Sequence, residues 1–196
     1  MSFQGDYELA ETRLQESLDR FQKLGIQWGS AYALGNLGRA ALCRGDYARA
    51  TALIQASLAL CREMGDRDGI AECVARLGGV AAAQGETESA QRLYQESLTL
   101  YQQVGDRPGV AECLKELGKL AGAQANVARA GQLLGAAEAL REALGALLLP
   151  DECSSYDQIV ATLRAQLGDD AFMEAWAQGR AMTPEQAVAF ALGDKR

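Results

Sequence analysis

A chain of 196 residues with 48% hydrophobic content is long and apolar enough to bury a core, which excludes a purely solvated, disordered polypeptide. Its formal charge of -7 and pI near 4.7 exclude the net basic surface that phosphate contacts need, so no nucleic acid is expected as a direct partner. No apolar run reaches the roughly 18 to 20 residues of a membrane span, and "MSFQGDYELA" has neither the basic nor the apolar segment of a signal peptide, so no membrane contact and a cytoplasmic location are expected.

Three prolines and 6% aromatic residues, set against abundant Ala, Leu, Gln, Glu and Arg, favour helix through side-chain entropy and predict an all-α domain. The five cysteines, Cys43, Cys61, Cys73, Cys113 and Cys153, form no CxxC pair and come with no histidine. Reduced, mostly packed thiols are therefore expected, with no metal and no cofactor.

The chain opens on Gly5-Asp6-Tyr7, and the same turn returns as Gly45-Asp46-Tyr47, as Gly85-Glu86-Thr87 and, decayed, as Ala125-Asn126-Val127. Gly25, Gly65, Gly105 and Gly145 keep this 40-residue register, as do Gly29, Gly69 and Gly109, and Ala10, Ala50, Ala90 and Ala130. A glycine after an apolar stretch closes a helix in the left-handed conformation, and the acidic residue behind it suits the positive start of the next helix. Asp66 and Asp106 are expected N-caps, and Pro108 sits in a permitted first turn. The unit is thus helix, short turn, helix, short turn. Gly38, Gly78 and Gly118 fall inside the first helix of each pair, where glycine costs up to about 1 kcal/mol. That recurring cost predicts a helix crossing too close for a side chain.

Within each period the chain reads Leu34-x-x-Leu37-Gly38-x-x-Ala41 with Ala50-x-x-x-Ile54, then Val74, Leu77-Gly78, Ala81, Ala90 and Tyr94, then Leu114, Leu117-Gly118, Ala121, Ala130 and Leu134. Repeated in this way, the pattern resembles the tetratricopeptide repeat. The resemblance implies an α-α superhelix, a solenoid of antiparallel helical hairpins. The period is 40 instead of about 34 and the usual proline after the second helix is missing, so each helix should be about three residues longer. A HEAT-like repeat would also suit 40 residues, but the Leu-Gly and Gly-Asp-Tyr spacings favour the tetratricopeptide pattern.

The expected organisation is repeats over 1–145 and a C-terminal helical cap over 146–196. Within the repeats, 5–25 is the second helix of a truncated repeat, from about Tyr7 to Leu24, and full repeats lie near 26–65, 66–105 and 106–145. The outer edge of that first helix lacks the neighbour a repeat requires, so the sequence is expected to be part of a longer array or to pair there with a second subunit, as in a homodimer. In the tail, helices are expected near Cys153 to Leu167 and Asp170 to Gln178, and a last one opens at Thr183-Pro184-Glu185-Gln186 with capping-box spacing. Phe172, Trp176 and Val188 are expected to cover the end of the stack.

The tail, "ARAGQLLGAAEALREALGALLLPDE" followed by "LGDDAFMEAWAQGRAMTPEQAVAFAL", resembles the extreme C-terminus of large bacterial transcriptional regulators. In that group a LuxR-type or winged-helix DNA-binding domain and a signalling ATPase domain precede tetratricopeptide repeats. Only the repeat module is matched here, because the chain carries neither a phosphate-binding Gly-rich Lys-Ser/Thr loop nor a basic recognition helix.

In tetratricopeptide domains the first helices line a groove that holds a peptide or a partner's helix, and the resemblance implies the same use here. Tyr32, Gly35, Asn36 and Arg39 should face it, then Glu72, Ala75, Arg76 and Gly79, then Glu112, Lys115, Glu116 and Lys119. Small Gly35, Ala75 and Gly79 would admit a guest backbone, and Arg39, Arg76, Lys115 and Lys119 would meet carboxylates, so an acidic protein or peptide ligand is expected. Gly35 and Glu112 stand where the chaperone-tail version of the fold needs lysine, which disfavours that ligand. Catalysis is not expected. Histidine is absent, the pairs Asp169/Asp170 and Asp151/Glu152 read as helix-start residues, and Cys73 and Cys113 share one repeat position, as packing residues do.

Overall fold

The computed structural model describes residues 3–145 and 150–193, with side chains placed over 9–145 and 157–193. These residues form ten helices and no strand. They group into two compact units, 1–93 and 94–196. The first holds α1 (Phe3–Lys23), α2 (Gln27–Cys43), α3 (Tyr47–Met64), α4 (Arg67–Ala83) and the start of α5 (Thr87–Val104). The second holds the rest of α5, then α6 (Arg107–Ala123), α7 (Val127–Ala143), α8 (Pro150–Leu167), α9 (Asp169–Arg180) and α10 (Pro184–Leu192). The tail thus shares a unit with the last repeat, and the division falls inside α5.

The 40-residue period has a simple mechanical origin. A 17-residue first helix, a three-residue turn, an 18-residue second helix and a two-residue turn fill it. Gly25, Gly45, Gly65, Gly85, Gly105 and Gly145 close these helices with φ between 65° and 80°. Asp46 and Asp66 accept hydrogen bonds from the amides of Arg49 (3.1 Å) and Gly69 (3.0 Å), whereas Asp106 occupies the N-cap without such a bond. In the fourth copy of the turn Ala125 keeps the left-handed conformation, φ 59°, without the freedom of glycine. A Cβ there costs about 1 kcal/mol. Ala125→Gly is therefore expected to stabilise the protein by about that amount in urea denaturation. An unchanged or lower midpoint would contradict the strain.

The interior glycines hold the hairpins close. A Cβ on Gly38 would lie 2.5 Å from Ile54 Cγ1 and 3.3 Å from the Ala50 carbonyl oxygen, and one on Gly118 would lie 2.8 Å from Leu134 Cγ and 3.4 Å from the Ala130 carbonyl oxygen. Gly29 and Gly69 likewise face Phe21 and Cys61 in the first unit, and Gly109 faces Tyr101 in the second, so both sides of each contact keep the same 40-residue spacing. Ala50, Ile54, Ala90, Leu98, Ala130 and Leu134 are fully buried. Buried Ser57 donates to the Ala31 carbonyl (2.8 Å), which keeps a polar side chain satisfied in this core.

In the second unit α7 is buried on most of its circumference, through Ala130, Gly131, Leu133, Leu134, Gly135, Ala136, Ala137 and Leu140. Helix α9 lies against it so closely that a Cβ on Gly135 would overlap the Trp176 carbonyl, and one on Gly179 the Gln132 carbonyl. Phe172 and Val188 are buried as expected, while Trp176 is half-buried. Thr183 and Gln186 form both bonds of the capping box, at 2.9 and 3.2 Å. The far end of α10 is held from outside, since Arg129 donates to the Phe190 and Ala191 carbonyls (3.0 Å each) and stacks on the Phe190 ring at 4.8 Å, and Gln95 donates to Ala191 (3.0 Å). Three hydrogen bonds from these two side chains serve carbonyls that a next turn of helix would otherwise satisfy. Residues 146–149 and 194–196, in the expected cap, lie outside the described residues.

Candidate partner-binding face

The first unit exposes a stripe along α2. Trp28 and Tyr32, one helical turn apart, are 62% and 59% exposed, and their rings stack with centroids 6.1 Å apart and planes 17° from parallel. Leu24 and Ile26, just ahead of α2, are also exposed. Further along, the Asn36 side-chain amide donates to the Tyr32 carbonyl (2.9 Å), and Arg39 is exposed with no ion pair among the described residues. Tyr32, Asn36 and Arg39 were expected from the repeat register. Trp28 was missed, although an aromatic one turn before Tyr32 was readable in the sequence.

Arg76 does not serve this face as expected. Its guanidinium lies in the space a Cβ on Gly35 would occupy and pairs with Glu72, and its side chain is only 17% exposed. The notch read as room for a guest backbone is therefore filled by the protein itself. Glu72 remains half exposed, and Asp68 is exposed one turn earlier on α4.

In the second unit the two lysines of α6 are likewise committed. Lys115 pairs with Glu112 (2.7 Å) and lies 3.7 Å from Glu116, and its side chain is 13% exposed. Lys119 pairs with Glu116 (2.6 Å). The physical reason is local, because carboxylates three or four residues away on the same helix lie within reach of the flexible ammonium groups. Of the four cations expected to meet an acidic ligand, three are thus paired within their own helices, with Glu72 and Glu112 the more exposed partners of Arg76 and Lys115.

The thiols are held by the repeat packing. Cys73 donates to Ser57 Oγ (3.3 Å) and Cys113 to Ser97 Oγ (3.5 Å), two copies of one contact. Burial pushes Cys61 and Cys113 up to about 12 and also raises Cys73. At pH 8 these three remain protonated and shielded, so brief iodoacetamide treatment should modify exposed Cys43 at least about tenfold faster than any of them. Equal labelling in peptide mass maps would contradict the packed assignment.

A family model of the tetratricopeptide repeat matches residues 2–63 and 70–144. The fold is similar to the crystal structure of BtubC (BKLC) from P. vanneervenii, with 21% identity and a TM-score of 0.65 over 98% of this chain and 77% of that one. Over 60 residues the chain is 38% identical to a "Putative HTH-type transcriptional regulator" of Mycobacterium bovis and to two proteins of the same description from Mycobacterium tuberculosis. That stretch covers 31% of this chain and 7% of each mycobacterial protein, so the chain spans a small fraction of those relatives. No helix among the described residues is long and apolar enough to cross a membrane. With the match running through most of its length and the hairpins stacked as that match requires, the chain belongs to the tetratricopeptide repeat family, whose repeats are scaffolds for protein-protein interaction.

Proposed function

We propose that the chain is the protein- or peptide-binding scaffold of a bacterial signalling or transcriptional regulator, working in the cytoplasm as its sensor or oligomerisation module. The observation that carries the binding reading is the α2 stripe, where two large aromatic side chains stand in water although the hairpin packing does not use them. The link to a regulator is supported by the mycobacterial matches, whose names describe HTH-type regulators and whose chains are far longer. The size of the native polypeptide tests that link. An antibody raised against this chain should detect a species several domains larger than 20.9 kDa in the source cells. A band at 20.9 kDa would instead make it a free-standing adaptor.

One observation favours self-association as a second reading. Ala10 on α1 is exposed, whereas its register mates Ala50, Ala90 and Ala130 are fully buried, and Leu14 is half-buried where Ile54 and Leu134 are fully buried. If a second copy covers this face, sedimentation equilibrium shows a dimer in the micromolar range that Ala10→Glu dissociates. A monomer throughout would end this reading.

A further inference from the structure

We propose that the Trp28–Tyr32 stack binds a cationic side chain, lysine or arginine, of an extended partner segment, so that the α2 face selects basic partners. This rests on the scaffold reading and names the chemistry of the partner.

The aromatic pair is not part of the repeat design. At the same register α4 carries Asp68 and Glu72, and α6 carries Pro108 and Glu112. The fold is built twice more without it, so packing does not explain its presence. Each ring is more than half exposed, and the near-parallel stack presents aromatic surface on which a cation gains electrostatic attraction from the ring quadrupole.

The surrounding charge has the matching sign. Helices α2 and α4 meet where the Arg76 guanidinium lies against Gly35, and this cation is already consumed by Glu72. The Arg76–Glu72 pair is neutral as a unit, which leaves exposed Asp68, at the register position of Trp28, as the α4 carboxylate without an ion pair among the described residues. Arg39, without an ion pair among the described residues, lies seven residues beyond Tyr32, roughly 10 Å along the helix. An acidic segment would therefore meet the unpaired Asp68 carboxylate at the aromatic end, whereas a basic one would meet π faces and a charge of opposite sign. In a near-parallel stack the outward ring faces are the open ones, and one basic side chain laid on such a face makes the contact.

The probe is acetyl-Gly-Arg-Leu-Arg-Gly-amide, compared with versions carrying Gln or Glu in place of both Arg. Binding to the whole 15N-labelled chain is read from the indole N–H signal of Trp28, separated from that of Trp176 by Trp28→Phe. The Arg peptide should bind at least fivefold more tightly than the Gln peptide, and the Glu peptide most weakly. Added salt and Asp68→Asn should narrow the difference, and Tyr32→Leu should remove it while the circular dichroism stays unchanged. Equal affinity for the Arg and Gln peptides, tighter binding of the Glu peptide, or no shift with any of them would overturn the proposal. A natural partner that cross-links at position 32 yet shows no preference for basic segments would also overturn it, while leaving the scaffold reading standing.

Discussion

Replacing Gly179 by alanine is expected to lower the stability of the second unit by about 2–3 kcal/mol, the upper end of what one added methyl costs in a tight interior. The new Cβ would overlap the Gln132 carbonyl oxygen, and the nearest three atoms are all backbone. A side chain can rotate out of such a clash, but a helix backbone has to move as a whole. Helix α9 would be pushed off α7 and would carry buried Phe172 and the Arg180–Glu142 pair (2.6 Å) with it. Alanine's better helix propensity returns at most about 1 kcal/mol, which is already allowed for. Urea denaturation with limited proteolysis of the tail checks this. A stable variant with a resistant tail would mean that α9 does not sit where the structure has it.

In the first unit, Ile54→Ala is expected to cost about 3–4 kcal/mol, because a fully buried side chain leaves a cavity at the α2–α3 crossing. Gly38→Ala alone should cost about 1–2 kcal/mol, since its Cβ would press on Ile54 Cγ1 at 2.5 Å. The two changes relieve each other. With Ile54 shortened, the added methyl enters the vacated space, and only the Ala50 carbonyl at 3.3 Å still crowds it. The second substitution should then be neutral, which amounts to a coupling of about 1–2 kcal/mol in a double-mutant cycle. Strict additivity would show that Gly38 is not retained for the crossing.

Much of this fold was legible because a repeat tests itself. The turn glycines recur at 40 residues and the Gly38 and Gly118 crossings at twice that spacing, and the structure gives each a matching contact or backbone angle. The seam between α7 and α9 was harder to see, since it breaks the register. Gly131 and Gly135 replace Thr51 and Gln91, and Gln55 and Gln95, and that loss of side chains was the available signal for a new close neighbour. At the candidate site Tyr32, Asn36 and Arg39 came from register, whereas the fate of Arg76, Lys115 and Lys119 did not. A long cation and a carboxylate one turn apart read the same in sequence whether they pair or both face solvent. Here burial of the stem and a nearby glutamate decide for pairing.

A partner protein docked on the proposed α2 face would lie within reach of Tyr32. The direct measurement is photo-cross-linking in the source cells, with a photoreactive residue at Tyr32 and a control at exposed Ala56 on α3. A discrete cross-linked species is expected from position 32 that is absent from position 56 and lost with Trp28→Leu. Equal cross-linking at both positions, or none at position 32, would contradict it.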